Sequence, residues 1–286
     1  MNSILCKRYS IDNIIGKGKF GVVFKGKNIK SGELVAIKME DKRTPAKLLK
    51  HEASLLKYLH DHDCRNTPIV YWYGLHEENT CVVMPFYESS LFDKIVSYDG
   101  EAIPIEKINK IMCVCIDIVE SIHKNYVIHR DIKPQNFMYR NGELYLIDFG
   151  LSTFYIDENK DHNIILEGNE HITGTPKYIS YFIHQGISPS RKDDLISLGY
   201  MYIWLITREL PWDIVNTSHK EDSDYDESHI LHWKNQERKR LKALDTLDVI
   251  CGRINQSISK YLNYSYGLDY KHTPNYEGLY NLFSSS

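Results

Sequence analysis

The chain has 286 residues, 42% of them hydrophobic, and 35 basic against 38 acidic side chains leave a formal net charge of −3. That balance excludes a global pull toward nucleic acid or an anionic membrane surface, so a charged partner has to be read by a local patch. The composition also excludes long disorder, and the length is enough for two lobes around a cleft.

The first ten residues, MNSILCKRYS, contain no apolar core of signal-peptide length, and the longest apolar runs, such as Leu198 to Ile206, are too short to span a bilayer. A cytoplasmic or nuclear monomer without membrane contact is expected. Cys6, Cys64, Cys81, Cys113, Cys115 and Cys251 show no zinc-type or redox spacing, so reduced and mostly buried thiols are expected.

In chain order, Tyr9 to Ile15 and Val22 to Lys27 read as strands joined by Gly16-Lys17-Gly18-Lys19-Phe20-Gly21. Glu33 to Met39 reads as a third strand after the turn at Ser31-Gly32. A glycine loop inside a hairpin differs from one that opens a helix, and so argues against a dinucleotide fold. Its glycines let backbone amides approach an anion with no Cβ in the way. Next comes a helix, expected to be capped by Thr44 with Pro45 in its first turn, with an apolar stripe at Leu48, Leu55, Leu56 and Leu59. Glu52 falls on that stripe, where a carboxylate is costly unless a cation meets it.

Val82-Val83-Met84 reads as a buried strand before the irregular Pro85-Phe86-Tyr87. Ile105, Ile108, Met112, Cys115, Val119 and Ile122 repeat with helical spacing and mark core. Farther on, Ser190 to Ile206 is apolar on nearly every face except its start, as a central buried helix would be. Asp194 at that start needs hydrogen-bond donors.

The segment HRDIKPQNFMYRNGELYLIDFG, His129 to Gly150, carries the chemistry. Apolar, β-prone residues from Phe137 to Ile147 flank Asn141-Gly142, a strong two-residue hairpin signal. A hairpin centred there brings Asn136 within one residue of standing opposite Asp148, which makes them candidate magnesium ligands: one carboxylate and one amide oxygen, the hard donors Mg²⁺ favours. Asp131 is the candidate base.

This run resembles the catalytic loop and metal-binding segment of protein kinases, H-R-D-x-K-P-x-x-N followed by D-F-G. The resemblance implies an α+β, bilobal fold with a β-rich N-lobe over 1–84, a hinge at 85–87 and a mainly helical C-lobe over 88–286. It implies ATP and Mg²⁺ as cofactors. Gly16, Gly18, Gly21, Val23, Ala36, Lys38, Glu52, Met84 and Tyr87 would then serve the nucleotide. Lys38, ending Val35-Ala36-Ile37-Lys38, would hold the α- and β-phosphates and pair with Glu52. Met84 would guard the back pocket, and backbone groups near Tyr87 would meet adenine. Asn136 and Asp148 would hold metal, and Asp131 would accept the substrate hydroxyl proton. Lys133, the serine/threonine form of the loop, would hold the γ-phosphate. Asp194 would bind catalytic-loop backbone.

Most kinases carry A-P-E where this chain has Thr173-Gly174-Thr175-Pro176-Lys177-Tyr178-Ile179-Ser180 and then Ser188-Pro189-Ser190-Arg191-Lys192-Asp193-Asp194-Leu195-Ile196-Ser197-Leu198-Gly199-Tyr200. These runs resemble the casein kinase 1 family, and Leu210-Pro211-Trp212 and the ending from Tyr276 to Phe283 extend the likeness. Protein substrates with acidic or phosphorylated segments are implied, read by an anion site at Lys177, Arg191 and Lys192. Two departures loosen that site. Lys177 replaces the family's usual arginine, a point charge for a fork, and Glu237 aligns with a family lysine unless a one-residue shift brings in Arg238. An acidic insertion, roughly Asn216 to His229, surrounds Ser223 and Ser228. It reads first as a solvated loop and, more sharply, as an imitation of an acidic substrate. The segment from Asp157 to Glu170 is itself acidic, so activation-loop phosphorylation is not expected to be needed. With no long tail after Ser286, neither is tail dephosphorylation.

Overall fold

The structure is a computed structural model and describes residues 4–18, 21–45, 47–168, 172–216 and 227–284. Its contacts divide into two compact units, one of Met1–Asp93 with Gln135–Leu151 and one of Lys94–Pro134 with Ser152–Ser286.

The first unit is built on a six-stranded antiparallel sheet of order β1-β2-β3-β4-β6-β5. Its strands are β1 (Ile4–Leu5), β2 (Tyr9–Gly18), β3 (Gly21–Asn28), β4 (Leu34–Asp41), β5 (Trp72–His76) and β6 (Asn79–Pro85). Alternation sends Tyr9, Val35, Ile37, Cys81 and Val83 into one apolar cluster. Ala36, Val82 and Met84 go to the opposite face, where they meet Leu49 and Ala53 of helix α1 (Leu48–Asp61). Removing such aliphatic side chains from water stabilises the fold by roughly 1.5–3 kcal/mol each.

Helix α1 begins later than expected. The Asp41 carboxylate accepts from the Arg43 backbone N–H at 2.8 Å, and Thr44 N–H donates to Asp41 O at 2.9 Å. A closed turn therefore holds the chain where a cap at Thr44 was expected. Lys47, with φ +43°, precedes the first helical residue.

Two short strands follow, β7 (Ser89–Ser90) and, after helices α2 (Leu91–Val96) and α3 (Ile105–Lys124), β8 (Val127–Ile128). The hairpin forms as β9 (Phe137–Arg140) and β10 (Glu143–Leu146), in the register Phe137 opposite Leu146 and Arg140 opposite Glu143. Because β9 also pairs with β7, and Leu146 N–H donates to Asn66 O at 2.9 Å, this segment goes with the β-rich unit. The expected division at 85–87 instead assigned everything after 87 to the second lobe.

The second unit is mainly helical, apart from β8 and its partner β11 (Thr153–Phe154). Helix α4 (Tyr181–His184) precedes α5 (Arg191–Thr207), which is buried from Leu195 through Leu205. A 3-10 turn, Pro211–Asn216, then leads to α6 (Glu227–Leu241), α7 (Leu244–Gly252), α8 (Gln256–Tyr266) and α9 (Tyr276–Ser284). On α5, Gly199 permits close approach to α8, since a Cβ there would stand 2.5 Å from Leu262. Among the described residues no helix is long and apolar enough to cross a membrane. Five of the six free cysteines are buried, and Cys6 is exposed.

Candidate active site

In the first unit, β4 carries Lys38 and α1 carries Glu52 on its inward face. The Lys38 ammonium stands 2.7 Å from Glu52 Oε2 and 2.7 Å from Asp148 Oδ1. Glu52 is 2% exposed, so the cation beside it offsets a desolvation that nothing apolar could. Burial opposes the Lys38 charge, but the two carboxylates outweigh it and hold the ammonium above its usual pKa.

The hairpin register places Asn136 opposite Ile147, whose N–H donates to Asn136 O at 2.8 Å. Asp148, one residue on, takes the left-handed conformation with φ +68°, which Asp tolerates better than most residues. Asn136 is buried, whereas the Asp148 side chain is 44% exposed. Both end in oxygen, so this pair fits a hard divalent cation bound together with phosphate oxygens.

Val23, Ala36 and Met84 belong to the apolar cluster on the α1 face of the sheet. Tyr87 is buried, with its ring 5.4 Å from that of Tyr145. Gly16 and Gly18 lie at the end of β2, where a Cβ would meet nothing closer than 3.7 Å. Gly21 is required for an internal reason as well: at φ +147° its Cβ would come within 2.1 Å of Met39 O.

In the second unit the expected catalytic loop hangs on Asp194. The N–H groups of His129 and Arg130 donate to its two oxygens at 2.6 and 2.8 Å, and His123 Nε2 lies 3.0 Å away. Tyr276 OH stands 2.6 Å from His123 Nδ1, so a neutral ring donating from Nε2 and accepting at Nδ1 satisfies both contacts. Burial opposes the Asp194 charge, but hydrogen bonds and neighbouring histidines hold its carboxyl below the usual range.

Asp131, thus suspended, forms a triangle with Lys133 and Thr175. Its Oδ1 accepts from Thr175 N–H at 3.0 Å and from Thr175 Oγ1 at 2.6 Å, while Oδ2 accepts from Lys133 Nζ at 2.6 Å. Lys133 also donates to Thr175 Oγ1 at 2.9 Å. Thr175 stands within the Thr173 to Ser180 run, but no local signal marks its role, because its partner lies 44 residues away. Gly174 before it is needed for the approach: its φ is +105°, and a Cβ would stand 2.5 Å from Arg130 O.

The three residues of the expected anion site each have partners within the protein. Arg191 requires correction: it is 7% exposed, donates to Lys271 O at 2.7 Å, and covers the Tyr155 ring at 4.5 Å. Being the first residue of α5 turns it into the protein rather than toward a ligand. Lys192 lies 3.6 Å over the Phe182 ring, and Lys177 contacts Asp213. Glu237 forks with Arg240 at 2.6 and 2.9 Å, and Arg238 is buried. Residues 217–226, the heart of the acidic insertion and including Ser223, lie outside the described residues. So does 169–171 in the acidic activation segment.

Beneath the 175–180 segment, His184 Nε2 meets the fully buried Lys242 at 3.2 Å. Burial, then the charges of Lys242 and Arg238, push His184 down to about 2. The folded state therefore keeps it neutral while the unfolded chain protonates it below about 6.5. Its contribution to stability is complete above that pH and falls by roughly 1.4 kcal/mol per unit below it. Asp193, raised to about 6 mainly by burial, works in the opposite sense between about 6 and its unfolded value. The difference between wild type and His184→Gln isolates the histidine. Between pH 7 and 5 the wild type is expected to lose about 2 kcal/mol more than the variant in urea unfolding, and parallel curves would contradict this.

A family model described as protein kinase domain matches residues 9–264. The chain belongs to the protein kinase domain family, and its β-rich and helical units are those of the α+β kinase fold. It is a phosphotransferase that uses ATP to phosphorylate proteins.

Proposed function

We propose that this protein is a serine/threonine-protein kinase of the casein kinase 1 kind, acting as a cytoplasmic or nuclear monomer on acidic or phosphorylated protein segments. The observation that carries the reading is the triangle of Asp131, Lys133 and Thr175. A substrate hydroxyl hydrogen-bonded to Asp131 gives up its proton to that carboxylate as its oxygen bonds to the γ-phosphorus and the bond to ADP breaks. Lys133 balances the charge near the transferred group, and Lys38, fixed by Glu52, holds the inner phosphates. Asn136 and Asp148 would hold Mg²⁺, which when bound neutralises developing charge on the phosphates.

Support for the casein kinase 1 kind comes from how its two motif runs lock together. Ser180 accepts from Ile183 N–H at 3.2 Å to start α4 and hydrogen-bonds Asp193, whose other oxygen accepts from Ser190 N–H at 2.7 Å. A hydroxyl at 180 can both accept from Ile183 N–H and donate to the Asp193 carboxylate, which an ionised acid at that position could not do. The test is steady-state transfer to serine peptides flanked by aspartates against the same peptides flanked by lysines. Acidic peptides are expected to be preferred by at least about tenfold in kcat/KM; a preference for the basic set would sink the substrate assignment.

A further inference from the structure

We propose that Asp213 is a built-in anion occupying Lys177, and that it sets how strongly this protein favours an already phosphorylated substrate. The proposal rests on the function proposed above and specifies its substrate preference.

Lys177 is gripped at both ends by consecutive residues of the Pro211–Asn216 turn. Trp212, fully buried, donates its indole N–H to Lys177 O at 2.7 Å, while Asp213 contacts the ammonium. The two charged side chains are only 25% and 29% exposed, so water screens the pair incompletely. The Lys177 ammonium also lies 5.6 Å from the Tyr178 ring centre and 5.9 Å from that of Trp204.

Two buried basic side chains lie nearby. Helix α6 packs against this turn and presents Arg238, which is 7% exposed and feels the Asp213 charge. Lys242, 0% exposed, donates to Pro176 O at 2.9 Å and Ile179 O at 2.7 Å, on either side of Lys177 in sequence. Glu237, the acid next to Arg238, is committed to Arg240. Asp213 is thus the one carboxylate among the described residues that contacts Lys177.

Position makes the charge matter to substrate. Lys177 is two residues beyond Thr175, so their Cα atoms are at most about 7 Å apart, and Thr175 touches the base Asp131. An anion on Lys177 is therefore close enough to belong to a residue near the phosphoacceptor. An internal carboxylate, tethered at high effective concentration, competes with any incoming one. A phosphate, nearer −2, gains most once that carboxylate is removed.

The experiment compares kcat/KM for a serine peptide carrying phosphoserine or serine three residues before the acceptor, with the wild type, Asp213→Asn, Asp213→Gln and Lys177→Met/Asp213→Asn. The wild-type ratio is expected within about threefold of one, and loss of the carboxylate should raise it at least about tenfold. Adding Lys177→Met should return it to the wild-type value. Asp213→Gln serves if Asp213→Asn does not fold. A strong preference for phosphoserine already in the wild type, an unchanged ratio in the folded variant, or a gain that survives Lys177→Met would each overturn the proposal while leaving the kinase reading intact. No transfer to either peptide by the wild type would overturn both.

Discussion

Asp131→Asn is expected to lower kcat by about 10²–10⁴-fold with little change in ATP affinity. The side chain is 7% exposed and accepts from Thr175 on one oxygen and from Lys133 on the other. Asparagine has the same shape but only one acceptor. Whichever way the amide is turned, its NH₂ faces either the Lys133 ammonium or the Thr175 N–H, donor against donor. The variant therefore loses the proposed proton acceptor and also loosens the triangle around it. Single-turnover transfer alongside a nucleotide-binding titration separates the two effects. A kcat within tenfold of wild type would remove Asp131 from the role of base.

Lys38→Met should cost both activity and stability. It takes away the cation that Glu52 and Asp148 share at 2.7 Å each, leaving a carboxyl that is 2% exposed facing another acid. Breaking a buried ion pair from one side costs about 3–5 kcal/mol. The low end is expected, because the Lys38 side chain is itself 25% exposed and Glu52 can take up a proton. Adding Glu52→Gln to Lys38→Met should recover most of that stability, since an amide needs no counter-charge. It should recover none of the transfer, expected to fall at least about 10²-fold when the lysine proposed to hold the inner phosphates is lost. Urea unfolding of the single and double variants tests the pairing. Equal stability of wild type and Lys38→Met would show that the pair is held for another reason.

What was legible in the chain follows from how far apart the interacting residues lie. The Phe137–Ile147 hairpin was readable because Asn141-Gly142 selects a two-residue turn locally, and its register follows from the turn alone. The Lys38–Glu52 pair was readable because a lone acid on an apolar stripe demands a cation. The start of α1 was not, because Asp41 closes a turn with Arg43 and Thr44 that competes with the expected cap. Thr175 joins Asp131 through a contact with no local signature. Arg191 was misread for a related physical reason: sequence shows the charge but not that the first turn of α5 points it at Lys271 O and Tyr155. Strand β5, interrupted by Gly74 and only five residues long, gave too short a pattern to read.

Phosphoryl transfer from ATP to serine or threonine is measured by incubating the protein with Mg²⁺ and γ-labelled ATP. The acceptors are an equimolar mixture of acidic peptides that differ only in serine, threonine or tyrosine, resolved after reaction. Label on serine and threonine, and none above background on tyrosine, is the predicted result. Label on tyrosine, or nucleotide binding with no label on any peptide, would contradict it.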